Sequence, residues 1–403
     1  MRLAAWRLAL ACFVLAALTG ALFRFSAYFG TPYGLLLGNI RHAHSHLMFF
    51  AWATPVLMLL ADEALRRRGR RLPGSAGVAI AAVVCGLLAF TPFLLSGYGM
   101  LPVGDRLLPL SMMASGVNGL VWYAFAVLYL VGSWRLTRDL PLRLLDGATV
   151  LLLVSSVGAV LLAKEGASHT LTPITMAAYV DLFLTSFADG WFGIGVLAGL
   201  ALALAARVER FGWVAWTLAA ALSARAFTRL FQDAYGVAGL GFLESGAGFV
   251  AAVAWLLLVW RMWPHGSGVE RGTLLLIRAT LALMALKAVV ELVLATPAGE
   301  QWVDQQGLRV FLLHAFLLGA VTFGLVAAAR EVFGRRAFPF PRWLVASVVV
   351  MVFLLLPQTR LWPAALAGFW MLPAAAWSSL GPPVVAGVAL VLSLKRRRVQ
   401  DLG

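Results

Sequence analysis

Composition, the recurrence of apolar runs and the placement of basic residues predict an all-α integral membrane protein: a single polytopic transmembrane domain over residues 1–403, with about twelve transmembrane helices and both termini cytoplasmic. Hydrophobic residues make up 62% of the chain and charged residues 12%, where a soluble domain carries about 25% charged residues. The mean hydropathy is +0.90. Crossing a hydrocarbon layer about 30 Å thick takes about 20 apolar residues, and runs of that kind occupy 5–27, 37–62, 75–97, 111–134, 145–164, 176–206, 212–231, 241–262, 273–296, 308–330, 341–357 and 370–394. The formal charge of +15 does not point to nucleic acid, because the basic residues gather in alternate short connections: Arg66 to Arg71, Arg135 to Arg143, Arg330 to Arg342 and Lys395 to Arg398. That is the positive-inside pattern. It needs an even number of spans and fits the inner membrane of a bacterial-type cell.

Taken in order, the first span follows Met1-Arg2 and holds Arg7, but no small-residue cleavage site follows it, so it is expected to be retained. The second opens with Arg41-His42-Ala43-His44-Ser45-His46. The third and fourth are plain apolar runs; Cys85 lies in the third and Cys12 in the first, where thiols behave as small apolar residues. The fifth leads to an outer connection with His169. The sixth carries Asp181 and Asp189, the seventh Arg225 and Arg229, and the eighth begins at Glu244. His265 lies in an inner Trp-Pro-His-Gly connection. The ninth carries Arg278, Lys287 and Glu291, the last two spaced for a pair within the helix. The tenth holds His314, and the last two are marked by Trp343, Trp362 and Trp370 as interface anchors.

The histidines carry the functional argument. The chain has 6, and the predicted topology sets five of them, His42, His44, His46, His169 and His314, in one layer near the outer face. Polar groups in a membrane are expensive and usually have a task, and imidazole is a preferred ligand of heme iron, copper and zinc. At about 100° per residue, His42 and His46 lie within about 40° of each other, whereas His44 points about 200° away from His42. The three cannot all ligate one ion. No phosphate-binding loop, dinucleotide glycine motif or His-Glu-x-x-His motif is present.

The run His42-Ala43-His44-Ser45-His46-Leu47-Met48-Phe49-Phe50-Ala51-Trp52 and the helix Phe311-Leu312-Leu313-His314-Ala315-Phe316-Leu317-Leu318-Gly319-Ala320 resemble segments of the heme-copper oxidase catalytic subunit and its divergent relatives of the NnrS type. The resemblance covers most of the chain by helix order and two segments by residue. It implies a low-spin b-type heme clamped by histidines of the second and tenth helices, here His44 and His314, with His42, His46 and His169 as secondary metal or propionate contacts and copper as a further cofactor. Arg225 and Arg229, one turn apart, are expected to meet the heme propionates, with Arg41 and Arg309 as alternatives. The same resemblance implies electron transfer or nitric oxide handling, with a quinol or an electron-donor protein as partner and the lipid bilayer as surroundings. The sequence departs from the family where the oxygen-reducing centre needs copper-binding imidazoles: the sixth helix reads Phe187-Ala188-Asp189-Gly190-Trp191 and the seventh Ser223-Ala224-Arg225-Ala226-Phe227. Oxygen reduction is therefore not expected. Two other classes stay open at this point: a transporter that passes copper or zinc through the His42, His44 and His46 cluster, and a non-catalytic subunit of a respiratory complex.

Overall fold

Apolar helices fill the computed structural model, which describes residues 1–168, 170–204, 211–264, 268–296, 299, 302 and 305–395. Among the described residues they are α1 (Arg2–Phe29), α2 (Leu37–Arg66), α3 (Ser75–Ser96), α4 (Leu110–Ser133), α5 (Leu140–Ala167), α6 (Pro173–Ala203), α7 (Gly212–Tyr235), α8 (Gly241–Met262), α9 (Arg271–Leu294), α10 (Gln306–Phe333), α11 (Pro341–Phe353) and α12 (Met371–Lys395). By length and composition, 11 spans of this chain suffice to cross a membrane. The helix outside that set is α7, whose Arg225, Arg229 and Asp233 lower its apolarity. A short hairpin, β1 (Leu101–Val103) against β2 (Arg106–Leu108), joins α3 to α4. Its two-residue loop begins with Gly104 at φ 59°, as a tight hairpin turn requires. The apolar-run pattern did not reveal this hairpin.

Burial separates the helices into an inner and an outer set. In α2 and α6 89% of the apolar window is buried, and in α10 67%, against 56% or less in the others. The three inner helices pack on one another. Their approach rests on small residues, since apolar side chains gain little by leaving lipid for protein and close backbone contact becomes the main source of helix attraction. A Cβ on Gly195 or Gly199 of α6 would stand 3.0 Å from Leu57 or 2.9 Å from Leu60 of α2, and one on Gly193 would meet Trp255 at 2.7 Å and Phe316 of α10 at 3.1 Å. Trp191 of α6 also donates to Thr54 Oγ1 of α2 at 3.2 Å, which satisfies a fully buried indole N–H.

All three inner helices widen into π-helical turns: Leu47–Ala53 in α2, Thr185–Ile194 in α6 and His314–Val321 in α10. In α2 the cause is legible. Pro55 has no N–H for the carbonyl one turn before it, and its ring crowds that carbonyl. A wider turn relieves both.

The start of α1 and the end of α12 lie at one end of the bundle. Arg7 donates to the Ser393 carbonyl of α12, and Arg2 pairs with Asp62 at 3.0 Å and Glu63 at 2.8 Å near the end of α2. Arg68 pairs with Asp139 before α5, and Arg330 of α10 with Glu270 before α9 at 2.7 Å. Burial raises the Glu270 carboxyl, but the N–H groups of Gly272 and Thr273 together with Arg330 outweigh it and hold the group down at about 2. The histidines of α2 and α10 belong to the opposite, distal end.

Candidate functional site

His44 lies about two turns inside α2 from its distal start. Its Nδ1 donates to the Ala16 carbonyl of α1 at 2.7 Å. One turn further along α1, Gly20 leaves room for the ring: a Cβ there would be 2.8 Å from His44 Cε1 and 2.9 Å from Nδ1. His314 lies at a similar depth in α10, where its Nδ1 donates to the Val310 carbonyl at 2.7 Å as the helix widens. A carbonyl only accepts, so both Nδ1 atoms carry the proton and the neutral rings present an Nε2 lone pair. That is the tautomer a metal ligand needs, with the second nitrogen fixed by a backbone oxygen. Both rings keep accessible surface despite their depth.

Arg24 of α1 completes this group. It stands in the same neighbourhood as His44 and His314. Arg24 donates to Gln358 Oε1 at 3.2 Å, while Gln358 Nε2 is buried without a partner in the protein. Arg24 was not among the cations that the sequence suggested as propionate partners. The available signal was an arginine inside an otherwise apolar first span.

His42 and His46 belong elsewhere. They face α3 and the connection after it: His42 meets the Tyr98 ring edge-on at 4.7 Å, and His46 stacks on Phe93 at 3.8 Å with Nε2 3.3 Å from Tyr98 Oη. His44 thus parts from the other two as helical geometry requires. His169 lies outside the described residues, as does His265.

Arg225 and Arg229, expected at propionates, are engaged with carboxylates instead. Arg225 lies 3.6 Å from Glu291, and Arg229 lies 3.5 Å from Asp181, 3.4 Å from Asp233 and 3.9 Å from Glu244. Lys287 joins Asp189, at 3.0 Å, to Glu291. The expected pair between Lys287 and Glu291 is therefore present, but as one edge of an ion network linking α6, α7, α8 and α9. The network borders the π turn of α10, since Lys287 Nζ stands 5.1 Å from the centre of the Phe316 ring. It was invisible along the sequence because its partners are far apart in the chain.

Among the described residues no group of three or more His, Cys, Asp or Glu side chains is placed to hold a metal ion. Two imidazoles fall short of the four ligands of a structural zinc site or the three of a catalytic one. They match what a macrocyclic iron needs from a protein, which is axial ligation alone. Comparison of the chain with known proteins finds no matching family model and no matching curated protein.

Proposed function

We propose that this chain is a heme-binding membrane protein of twelve spans, with His44 and His314 as the two axial ligands, acting in electron transfer or nitric oxide handling. The observation that carries the reading is the matched pair of imidazoles on inner helices, each with Nδ1 held by a backbone carbonyl and Nε2 free. A heme held there would supply a one-electron iron couple and a site for a small gas. The chain's part is to fix the two rings from separate helices: Ala16 and Gly20 hold His44, and the first residue of a π turn presents His314. Arg24 is the cation at hand for a propionate, in place of Arg225 and Arg229.

The basic end carrying the start of α1 and the end of α12 is assigned to the cytoplasm of a bacterial-type inner membrane, and the histidine end to the outer face. A quinol or an electron-donor protein is the proposed redox partner. The oxygen-reducing chemistry of the resembled oxidases is not proposed, since Asp189 and Arg225 stand in an ion network on the helices that would supply copper-binding imidazoles. Passage of copper or zinc through His42, His44 and His46 acting together is disfavoured by their division between two faces of α2.

Protein purified from heme-replete cells should show a Soret band and a six-coordinate low-spin spectrum. Both His44→Ala and His314→Ala should abolish or convert it. A colourless preparation with no extractable heme, or two variants that keep the original spectrum, would overturn the reading.

A further inference from the structure

On the side of α2 away from His44, a band of buried polar atoms has no partner within the protein. Ser115, Asn118 and Trp122 are three and four residues apart on α4 and so share one face. That face points inward: the Trp122 ring lies 5.1 Å from Phe50 of α2 and 4.9 Å from Phe187 of α6, and Ala114 packs against the cluster that Ala43 of α2 forms with Ala89 and Phe93 of α3. On α2, His46 is 4.9 Å from Phe50 and stacks on the same Phe93. His46 and Asn118 therefore stand at one level, one turn before the Phe50 and Trp122 contact. The Asn118 Nδ2 and Oδ1, Trp122 Nε1, Ser115 Oγ and His46 Nδ1 atoms are all buried and lack a hydrogen-bond partner in the protein.

Asn118 is 0% exposed. An amide that leaves both its donor and its acceptor unpaired in apolar surroundings is among the least tolerated groups in a folded chain, and five such atoms along two turns of one face call for partners that side chains do not supply. The band holds no ionised side chain, so its ligand is neutral. It presents fixed donors at Asn118 Nδ2 and Trp122 Nε1 and an acceptor at Asn118 Oδ1, so the ligand both accepts and donates. Water meets each of these demands and commonly makes about three bonds inside a protein. At the distal end of the band Tyr98, half exposed, reaches His46 Nε2.

We propose that the wedge between α2, α3 and α4 is an internal hydration site, entered beside Tyr98 and reaching Asn118 and Trp122 at the depth of the histidines. The proposal stands whether or not the chain binds heme. It is tested in purified protein whose Cys12 and Cys85 have been replaced by Ala, by treating Asn118→Cys and Ser115→Cys variants with a small water-borne methanethiosulfonate. Phe125→Cys is the control, lying on the same face among aromatic rings, 5.5 Å from Trp191. Thiols react as thiolates, which form in water and not in a dry core, so labelling at Asn118→Cys should run about tenfold or more faster than at the control. Equal rates would overturn the proposal, and Ser115→Cys carries the comparison where Asn118→Cys does not fold. Asn118→Leu gives a second reading. In a hydrated wedge it strips the water of its partners and lowers the unfolding temperature, whereas in a dry one it removes two unpaired groups and raises it; a raised unfolding temperature would also overturn the proposal.

Discussion

Gly20→Ala is the sharpest probe of the histidine pair, because it adds one methyl group to α1 and touches neither imidazole chemically. The new Cβ would stand 2.8 Å from His44 Cε1 and 2.9 Å from Nδ1, about 0.6 Å inside ordinary contact for the nearer atom. The ring is tied to α1 itself through the Ala16 carbonyl at 2.7 Å, so it cannot retreat without lengthening that bond. Helix propensity favours alanine over glycine by about 1 kcal/mol, while overpacking typically costs about 1–3 kcal/mol and a lost hydrogen bond about 1 kcal/mol. The balance falls against the substitution by about 1–3 kcal/mol, concentrated on the position of one ring. The expected result is a folded protein with weakened heme retention and an altered low-spin spectrum, read by absorbance and heme content per polypeptide. Gly38→Ala, whose Cβ meets nothing within 4 Å, should leave the spectrum unchanged. If Gly20→Ala kept full heme with an unaltered spectrum and a raised unfolding temperature, the argument that α1 cradles His44 would be refuted.

Other outcomes follow from the same geometry. His42→Ala should retain heme and its spectrum, since that ring packs on Tyr98 and not in the group around Arg24; loss equal to that of His44→Ala, measured by heme content, would contradict the division of α2 into two faces. Lys287→Met should lower the unfolding temperature markedly, by a destabilisation of about 3 kcal/mol, because it strands Asp189 and leaves Glu291 with Arg225 alone, 3.6 Å away. Asp189→Asn should do less harm, since Lys287 keeps Glu291. Acid sensitivity should have a component from Glu270, whose carboxyl falls from an ordinary 4.5 to about 2 in the folded protein. A depressed carboxyl stabilises fully above its unfolded value and loses that contribution as pH falls from about 4.5 towards about 2. Glu270→Gln should flatten the fall in unfolding temperature across that window.

Much of the architecture is local in origin and was legible along the chain. Apolar runs of sufficient length marked each helix, since a backbone in lipid must satisfy its own hydrogen bonds. The opposition of His44 to His42 and His46 followed from 100° per residue alone, and so did the pairing of Lys287 with Glu291 one turn away. The eleven-against-twelve difference also has a sequence cause, because α7 trades apolarity for Arg225, Arg229 and Asp233. Partners across helices were a different matter. Arg225 and Arg229 carried no mark along the chain to distinguish a propionate from a carboxylate as their neighbour. That was settled by which of α6, α8 and α9 lie against α7. Arg24, Gly20 and the Ala16 carbonyl matter only because α1 packs on α2, and the Asn118 layer is visible only because α4 turns that face towards α2. Helix formation depends on neighbours a few residues apart, whereas rotation and adjacency of helices depend on contacts summed over the whole bundle, so the first could be read along the chain and the second required the tertiary structure.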